Sequence, residues 1–270
     1  MKSFLNINFS KSSLCESIIA TSKVIREDFS SESVWIDLIK LVEDAKIYVF
    51  SEKNEYKKLE KLLELFYTKW NFGGASGIYN LSDLLWIDYV LKTHQGTAVS
   101  LGIILLHIAE KLNLHLVPII FPTQLILKSN LSSNKNVFLI NPLNGEILNN
   151  HILEVWLKGN ISPTAKLYKN DLNDAKPLSV IRKMLDNLKS ALMEEQKMEL
   201  ALNVSNVILQ IAPNDPYEIR DRGLIYAQLD CEHVALTDLI YFVENCPDDP
   251  ISEIIKLQIH AIEQKKILLH

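Results

Sequence analysis

An α+β domain followed by an all-α helical domain is the organisation this sequence predicts, on three observations. The stretch from Gly96 to Leu148 reads as one apolar helix and then three short apolar runs, punctuated by Pro118, Pro122 and Pro142, which is the pattern of a helix laid on a small sheet. Beyond Leu148 and a short helical segment around Ile152 to Leu157, the polar run GNISPTAKLYKNDLNDAKP interrupts the apolar pattern and marks a domain boundary. After that run the text is helical with a period: Ala201-Leu202 recurs as Ala235-Leu236, Pro213 as Pro247 and Asp215-Pro216 as Asp249-Pro250, each 34 residues later. The two domains are placed at about 1–165 and 175–270.

Composition sets outer limits on function. A chain of 270 residues can bury a proper core in each domain, and 48% hydrophobic with 23% charged residues is an ordinary globular balance. A net charge of −5 gives no overall electrostatic footprint for nucleic acid. Cys15, Cys231 and Cys246 are odd in number and widely spaced, with no metal-ligand pattern, which fits a reducing compartment. The opening MKSFLNINFSKSSLCES lacks the apolar core of a secretion signal, and the longest apolar stretch, Val99 to Ala109, is too short to span a bilayer. The expectation is a cytoplasmic protein with no cofactor, no metal, no nucleic acid and no membrane among its partners.

The elements follow in order. Leu14, Ile18 and Ile19, then Trp35, Leu38, Ile39 and Val42, predict two helices separated by FSSES, the second capped around Ser30 to Ser33. Leu59, Leu62, Leu63, Phe66, Tyr67 and Trp70 lie on one face of a further helix whose other side carries lysines and glutamates. The Gly-rich NFGGASGIYN ends it; with no Lys-Ser/Thr pair following, it is a loop rather than a phosphate cradle. A helix from Leu81 to Lys92 leads into the central stretch.

A 34-residue helical period is that of tetratricopeptide repeats, helix-turn-helix units that stack because one unit cannot bury its apolar face alone. Counted from Pro216, the small, aromatic, alanine and proline positions of a unit fall on Gly223, Tyr226, Ala235 and Pro247. The preceding unit, from near Arg182, keeps Leu185, Ala201 and Pro213 but has Lys189 where a small residue should permit close helix approach. The text after Pro250 reads as a helix that closes the stack. About two repeats and a cap are expected.

GTAVSLGIILLHIAEKLNL, FPTQLIL and VFLINPLNG, followed by a repeat tail containing RDRG, resemble the bacterial SirB-type family, whose members have a transglutaminase-like core and C-terminal repeats. The resemblance implies a papain-like α+β core in which a helix N-terminus carries the nucleophile and sheet strands carry the base and its orienting group. Those positions are Cys, His and Asp in an active enzyme; here they fall on Ser100, Gln124 and Asn141. A serine hydroxyl needs a general base, Gln124 cannot be one, and Asn141 cannot stabilise an imidazolium as a carboxylate does. The three side chains can instead form a neutral hydrogen-bonded trio.

Other residues offer little rescue. His107 lies two turns from Ser100, roughly 10 Å along the helix axis, while His94 and His115 flank the helix away from the implied base position. Ser100 reads better as a helix-capping residue, and nothing local activates Cys15. Arg220, Asp221 and Arg222 offer either a ligand contact on the repeat surface or ion pairs with carboxylates such as Asp238 or Glu218. The function expected is that of a pseudoenzyme or adaptor, binding a protein or peptide through its repeats or its vestigial cleft. Two alternatives stand beside it: a Ser100-dependent hydrolase or acyl-transferase with an unusual base, and a purely structural scaffold.

Overall fold

The structure is a computed structural model and describes residues 12–130 and 137–268. The segment 1–11, most of the stretch read above for a secretion signal, lies outside the described residues. The chain forms two compact units, with the division after Met184; residues 24–26 group with the second.

The N-terminal unit begins with helices α1 (Leu14–Ile25), α2 (Ser31–Val49) and α3 (Glu55–Glu64). Ser30 caps α2 by accepting from the Ser33 N–H, and Asn54 caps α3 through the Lys57 N–H. The aromatic end of α3 continues as a π-helical turn over Leu65–Lys69. Two glycines of the following loop form a short strand β1 (Gly73–Gly74), and the next helix is α4 (Ile87–Thr93).

The single helix expected from Leu81 to Lys92 is therefore broken. Asp83–Leu85 is a 3₁₀ turn, and Trp86 has extended backbone at ψ 118° before α4 begins. The cause lies outside the segment. The Leu84 carbonyl accepts from the Ser100 hydroxyl and the Thr97 N–H, which takes it out of any helical ladder.

His94 ends α4 in the left-handed region, and β2 (Gln95–Gly96) pairs in parallel with β1. Then comes α5 (Ala98–Lys111), buried at nearly every position, as a helix hydrophobic on all sides must be. Strands β3 (Leu116–Ile120), β4 (Leu125–Ser129), β5 (Phe138–Ile140) and β6 (Ile147–Leu148) form an antiparallel meander in that spatial order. Pro118 sits in the edge strand β3, where a missing N–H costs no ladder bond.

Alternation along β4 packs the sheet on both faces. Leu125 faces Gly102 of α5, while Ile126 joins a cluster with Leu153 and Leu157 of the last helix of the layer, α6 (Asn150–Asn160). A Cβ on Gly102 would lie 2.7 Å from the Leu125 side chain, so glycine sets how closely α5 approaches the sheet.

The second unit is helical: the latter part of α7 (Pro177–Glu194), then α8 (Met198–Ile211), α9 (Pro216–Gln228), α10 (Glu232–Asn245) and α11 (Pro250–Leu268). Asp215 caps α9 by accepting from the Tyr217 N–H, with Pro216 in the first turn, and Asp249 accepts the same bond from the Ile251 N–H at the start of α11. Gly223 lets α9 lie against Asp238 and Leu239 of α10; a Cβ there would meet both at 3.0 Å. Leu239, Phe242, Ile255 and Ile259 make the core between α10 and α11. Among the described residues no helix is long and apolar enough to cross a membrane.

Candidate functional site

The start of α5, the start of β4 and the end of β5 converge. Gly102 contacts Leu125 and Pro142, the neighbours of Gln124 and Asn141. Helix and sheet thus meet where the implied nucleophile, base and orienting positions lie.

Two of the three residues are joined. The Gln124 Nε2 donates to Asn141 Oδ1 at 3.2 Å, and the same oxygen accepts from the Leu143 N–H at 3.1 Å. Asn141 also holds the turn that follows it, because its carbonyl accepts from the Gly145 N–H at 2.8 Å. These are neutral amide contacts with no proton to transfer.

Ser100 is not part of that pair. It is fully buried, and its hydroxyl donates to the Leu84 carbonyl at 2.6 Å while accepting from the Thr97 N–H at 2.9 Å. The Thr97 side chain in turn accepts from the Ser100 N–H, so the two form a reciprocal cap at the N-terminus of α5. The trio envisaged from the sequence is therefore a pair plus a cap. Ser100 lies at the third helical position, where its oxygen reaches back to the cap residue more readily than outward.

The histidines hold other places. His94 lies stacked on Phe72 at 4.3 Å between ring centroids, with Nδ1 2.5 Å from the Trp70 carbonyl. His107 is buried against Trp35, and His115 is exposed on the turn before β3. None of the three hydrogen-bonds Ser100. Among the described residues no three His, Cys, Asp or Glu side chains gather as a metal site would require.

Cys15 is buried, and burial together with the nearby Glu16 and Glu110 carboxylates pushes its thiol up to about 12. It is held as the thiol, the unreactive form. Alkylation of the native protein with iodoacetamide at pH 8 is expected to modify the exposed Cys231 first, with Cys15 protected until the chain unfolds. Peptide mapping of the labelled protein checks this, and early modification of Cys15 would contradict it.

In the helical unit, Arg220, Asp221 and Arg222 are all engaged. Arg222 makes a two-pronged contact with Asp238 at 2.7 and 2.8 Å. Arg220 bonds Asp221 and lies over the Tyr217 and Phe242 rings at 5.5 and 5.2 Å. Asp221 also accepts from Lys189 at 2.7 Å. Lys189 itself, only 4% exposed, donates to the buried Glu218 at 2.6 Å, and Glu218 accepts a further bond from Ser205. From sequence alone Lys189 is a misfit at a small-residue position of its repeat; a lysine on an otherwise apolar helical face is rarely buried unless paired, which is the signal for a carboxylate partner.

Comparison with known proteins agrees with this architecture. The pattern of the transglutaminase-like superfamily matches residues 32–186, and that of the tetratricopeptide repeat matches 188–260. A UPF0162 protein of Buchnera aphidicola subsp. Schizaphis graminum is 70% identical over the whole of both chains. Protein SirB1 of Salmonella typhimurium is 57% identical, and the UPF0162 protein YchA of Escherichia coli K12 is 55% identical, each again over both full lengths. No solved structure matches.

Proposed function

The chain belongs to the SirB1/UPF0162 family of transglutaminase-like proteins with tetratricopeptide repeats, and from that premise we propose that it is a non-catalytic cytoplasmic adaptor which binds a protein or peptide. The hydrogen bonding of Ser100 carries this reading. Its proton is committed to a backbone carbonyl, its oxygen is occupied by a backbone N–H, and it has no solvent exposure. A nucleophile needs a free lone pair and a base to take its proton. With glutamine and asparagine at the other two positions, neither the base nor its orienting carboxylate is present.

Binding is assigned to residues 175–270. Tetratricopeptide units generally present an extended surface to other proteins, and this unit exposes Tyr217, Val234, Ile254 and Leu257. Arg220, Asp221 and Arg222 serve the unit's own packing.

Two measurements test the proposal. A photo-crosslinking amino acid at Leu257 or Tyr217 of the full-length chain should capture a discrete protein partner, while one at Thr123 beside the Gln124–Asn141 pair should not. Capture only at Thr123 would move binding to the cleft, and capture at neither position would count against an adaptor. Ser100→Ala should lower stability by about 1–3 kcal/mol, because the Leu84 carbonyl and Thr97 N–H lose a buried partner. It should leave hydrolysis of p-nitrophenyl acetate at the wild-type rate; a Ser100-dependent loss of turnover would establish the hydrolase alternative.

A further inference from the structure

We propose that the pocket formed by α1, α5 and β3 in the N-terminal unit binds a small, uncharged, mainly apolar molecule whose single hydrogen-bond acceptor is held by the ring N–H of His107. This site is separate from the Ser100 region and from the repeats, and it goes beyond the adaptor reading.

The pocket has a volume of about 290 Å³, close to the lower end of small-molecule sites at about 300 Å³. Leu14, Ile103, Leu106, Leu116, Val117 and Pro118 supply apolar walls. An aliphatic lining of this kind favours an apolar body, since water placed there finds few partners.

Cys15, His107, Glu110 and Asp174 are the polar members of the lining, and the hydrogen bonding of His107 is incomplete. The residue is 7% exposed, and its Nδ1 is sealed from solvent without a partner. Nε2 is not sealed in that way and bonds no described residue. A neutral imidazole carries one proton for two nitrogens. A proton on Nδ1 would be a donor with no acceptor within reach, whereas a proton on Nε2 can meet an acceptor brought into the pocket, so an acceptor-bearing ligand stabilises the Nε2–H tautomer. The donor is thereby left at the accessible edge of a ring that lines the pocket.

Electrostatics select the ligand's charge. Burial pushes the His107 pKa down from its ordinary value and Lys111 acts in the same direction, while Glu110 and Glu16 oppose them weakly. The ring is neutral at neutral pH and does not attract an anion. Glu110 and Asp174 line the same pocket; Asp174 is paired with Lys128, so Glu110 is the acidic side chain that disfavours an anion there. Cys15 also lines it, but as a protonated thiol it supplies contact rather than a nucleophile. The pocket is built to hold a molecule, not to react with it.

The test uses the full-length protein and three bicyclic probes of one shape: the ketone indan-1-one, the hydrocarbon indane and the anion indane-1-carboxylate. Titration followed by NMR should show saturable binding of indan-1-one, with shifts at the His107 ring and the Ile103 methyls. One net hydrogen bond predicts about fivefold tighter binding of the ketone than of indane, and the carboxylate should bind weakest. His107→Phe keeps the shape and removes the donor, so it should bind ketone and hydrocarbon equally. Leu106→Trp should fill the pocket and abolish both; Ala175→Phe fills it from the rim should the tryptophan variant not fold. Absence of saturable ketone binding, equal affinity of ketone and indane in the wild type, or undiminished binding in a folded pocket-filled variant would each overturn the proposal. The His107→Phe comparison decides the hydrogen-bond claim independently of either filling variant.

Discussion

Replacing Lys189 with alanine is expected to cost the helical unit about 3–5 kcal/mol, the range for removing one partner of a buried ion pair. Lys189 donates to Glu218 at 2.6 Å and to Asp221 at 2.7 Å, and the Lys189 and Glu218 side chains are 6% and 0% exposed. Removing the cation takes the Lys189 ion pair away from Glu218 in a dry site, where the neutral Ser205 hydroxyl is no substitute for it. Asp221 suffers less, because Arg220 stays beside it.

The loss should depend on pH in a definite direction. Burial already pushes the Glu218 carboxyl up, against the opposing pull of Lys189 and Ser205. Without Lys189 it rises further, so in the variant the folded state binds a proton more tightly than the unfolded chain does. A raised folded pKa means stability that is present below the unfolded carboxylate value and lost as pH rises through the folded one. The deficit of Lys189→Ala should accordingly be largest at pH 7 and shrink as pH falls toward 4. Urea denaturation of wild type and variant across that range measures it. A second variant, Lys189→Met with Glu218→Leu, removes both charges and should recover most of the loss. A deficit that stays flat with pH, or a double variant no more stable than the single, would count against a buried charge as the cause.

Gly145→Ala is expected to destabilise the N-terminal unit by about 2–5 kcal/mol, from two sources that can be separated. Gly145 has φ +76°, where a Cβ costs about 1–2 kcal/mol. The added Cβ would also lie 2.5 Å from the Tyr67 ring, an overpacking that typically costs about 1–3 kcal/mol. Tyr67 cannot simply move aside, since its hydroxyl donates to the Pro142 carbonyl at 2.9 Å and its ring packs edge-on against Phe66. In a Tyr67→Leu background the steric part should vanish and the backbone part remain, so the pair should be less than additive by about 1 kcal/mol or more. Full additivity in denaturant unfolding would assign the whole effect to the backbone. Because this turn also carries Asn141, the same variant should loosen the Gln124–Asn141 pair, visible as faster exchange of the backbone amide at position 145, which donates to the Asn141 carbonyl.

Much of the architecture is legible in local chemistry. Ser30 before α2 and the Asp-Pro pairs before α9 and α11 are caps whose partners lie two or three residues away, so the sequence contains the whole interaction. The apolar runs of α5 and β4 state their burial by composition. The resemblance of FPTQL and NPL to catalytic strands named Gln124 and Asn141, and the structure joins them by a hydrogen bond.

What stayed hidden depends on partners distant in the chain. The break at Trp86 follows from a carbonyl at Leu84 that is used by Ser100, 16 residues on, and no propensity at Leu81 to Lys92 signals it. From its helix alone His107 reads only as a histidine too far from Ser100 to serve as its base; the walls from α1 and β3 place it in a pocket.

The sequence by itself determined the succession of a helix-and-sheet core by a helical tail and the 34-residue repeat, because each is written in the identities and spacing of near neighbours. Only the tertiary structure decided what Ser100 and Lys189 do. A hydroxyl or an ammonium takes its role from the group it meets, and those groups, the Leu84 carbonyl and the Glu218 carboxylate 29 residues beyond Lys189, are brought within bonding distance by packing alone.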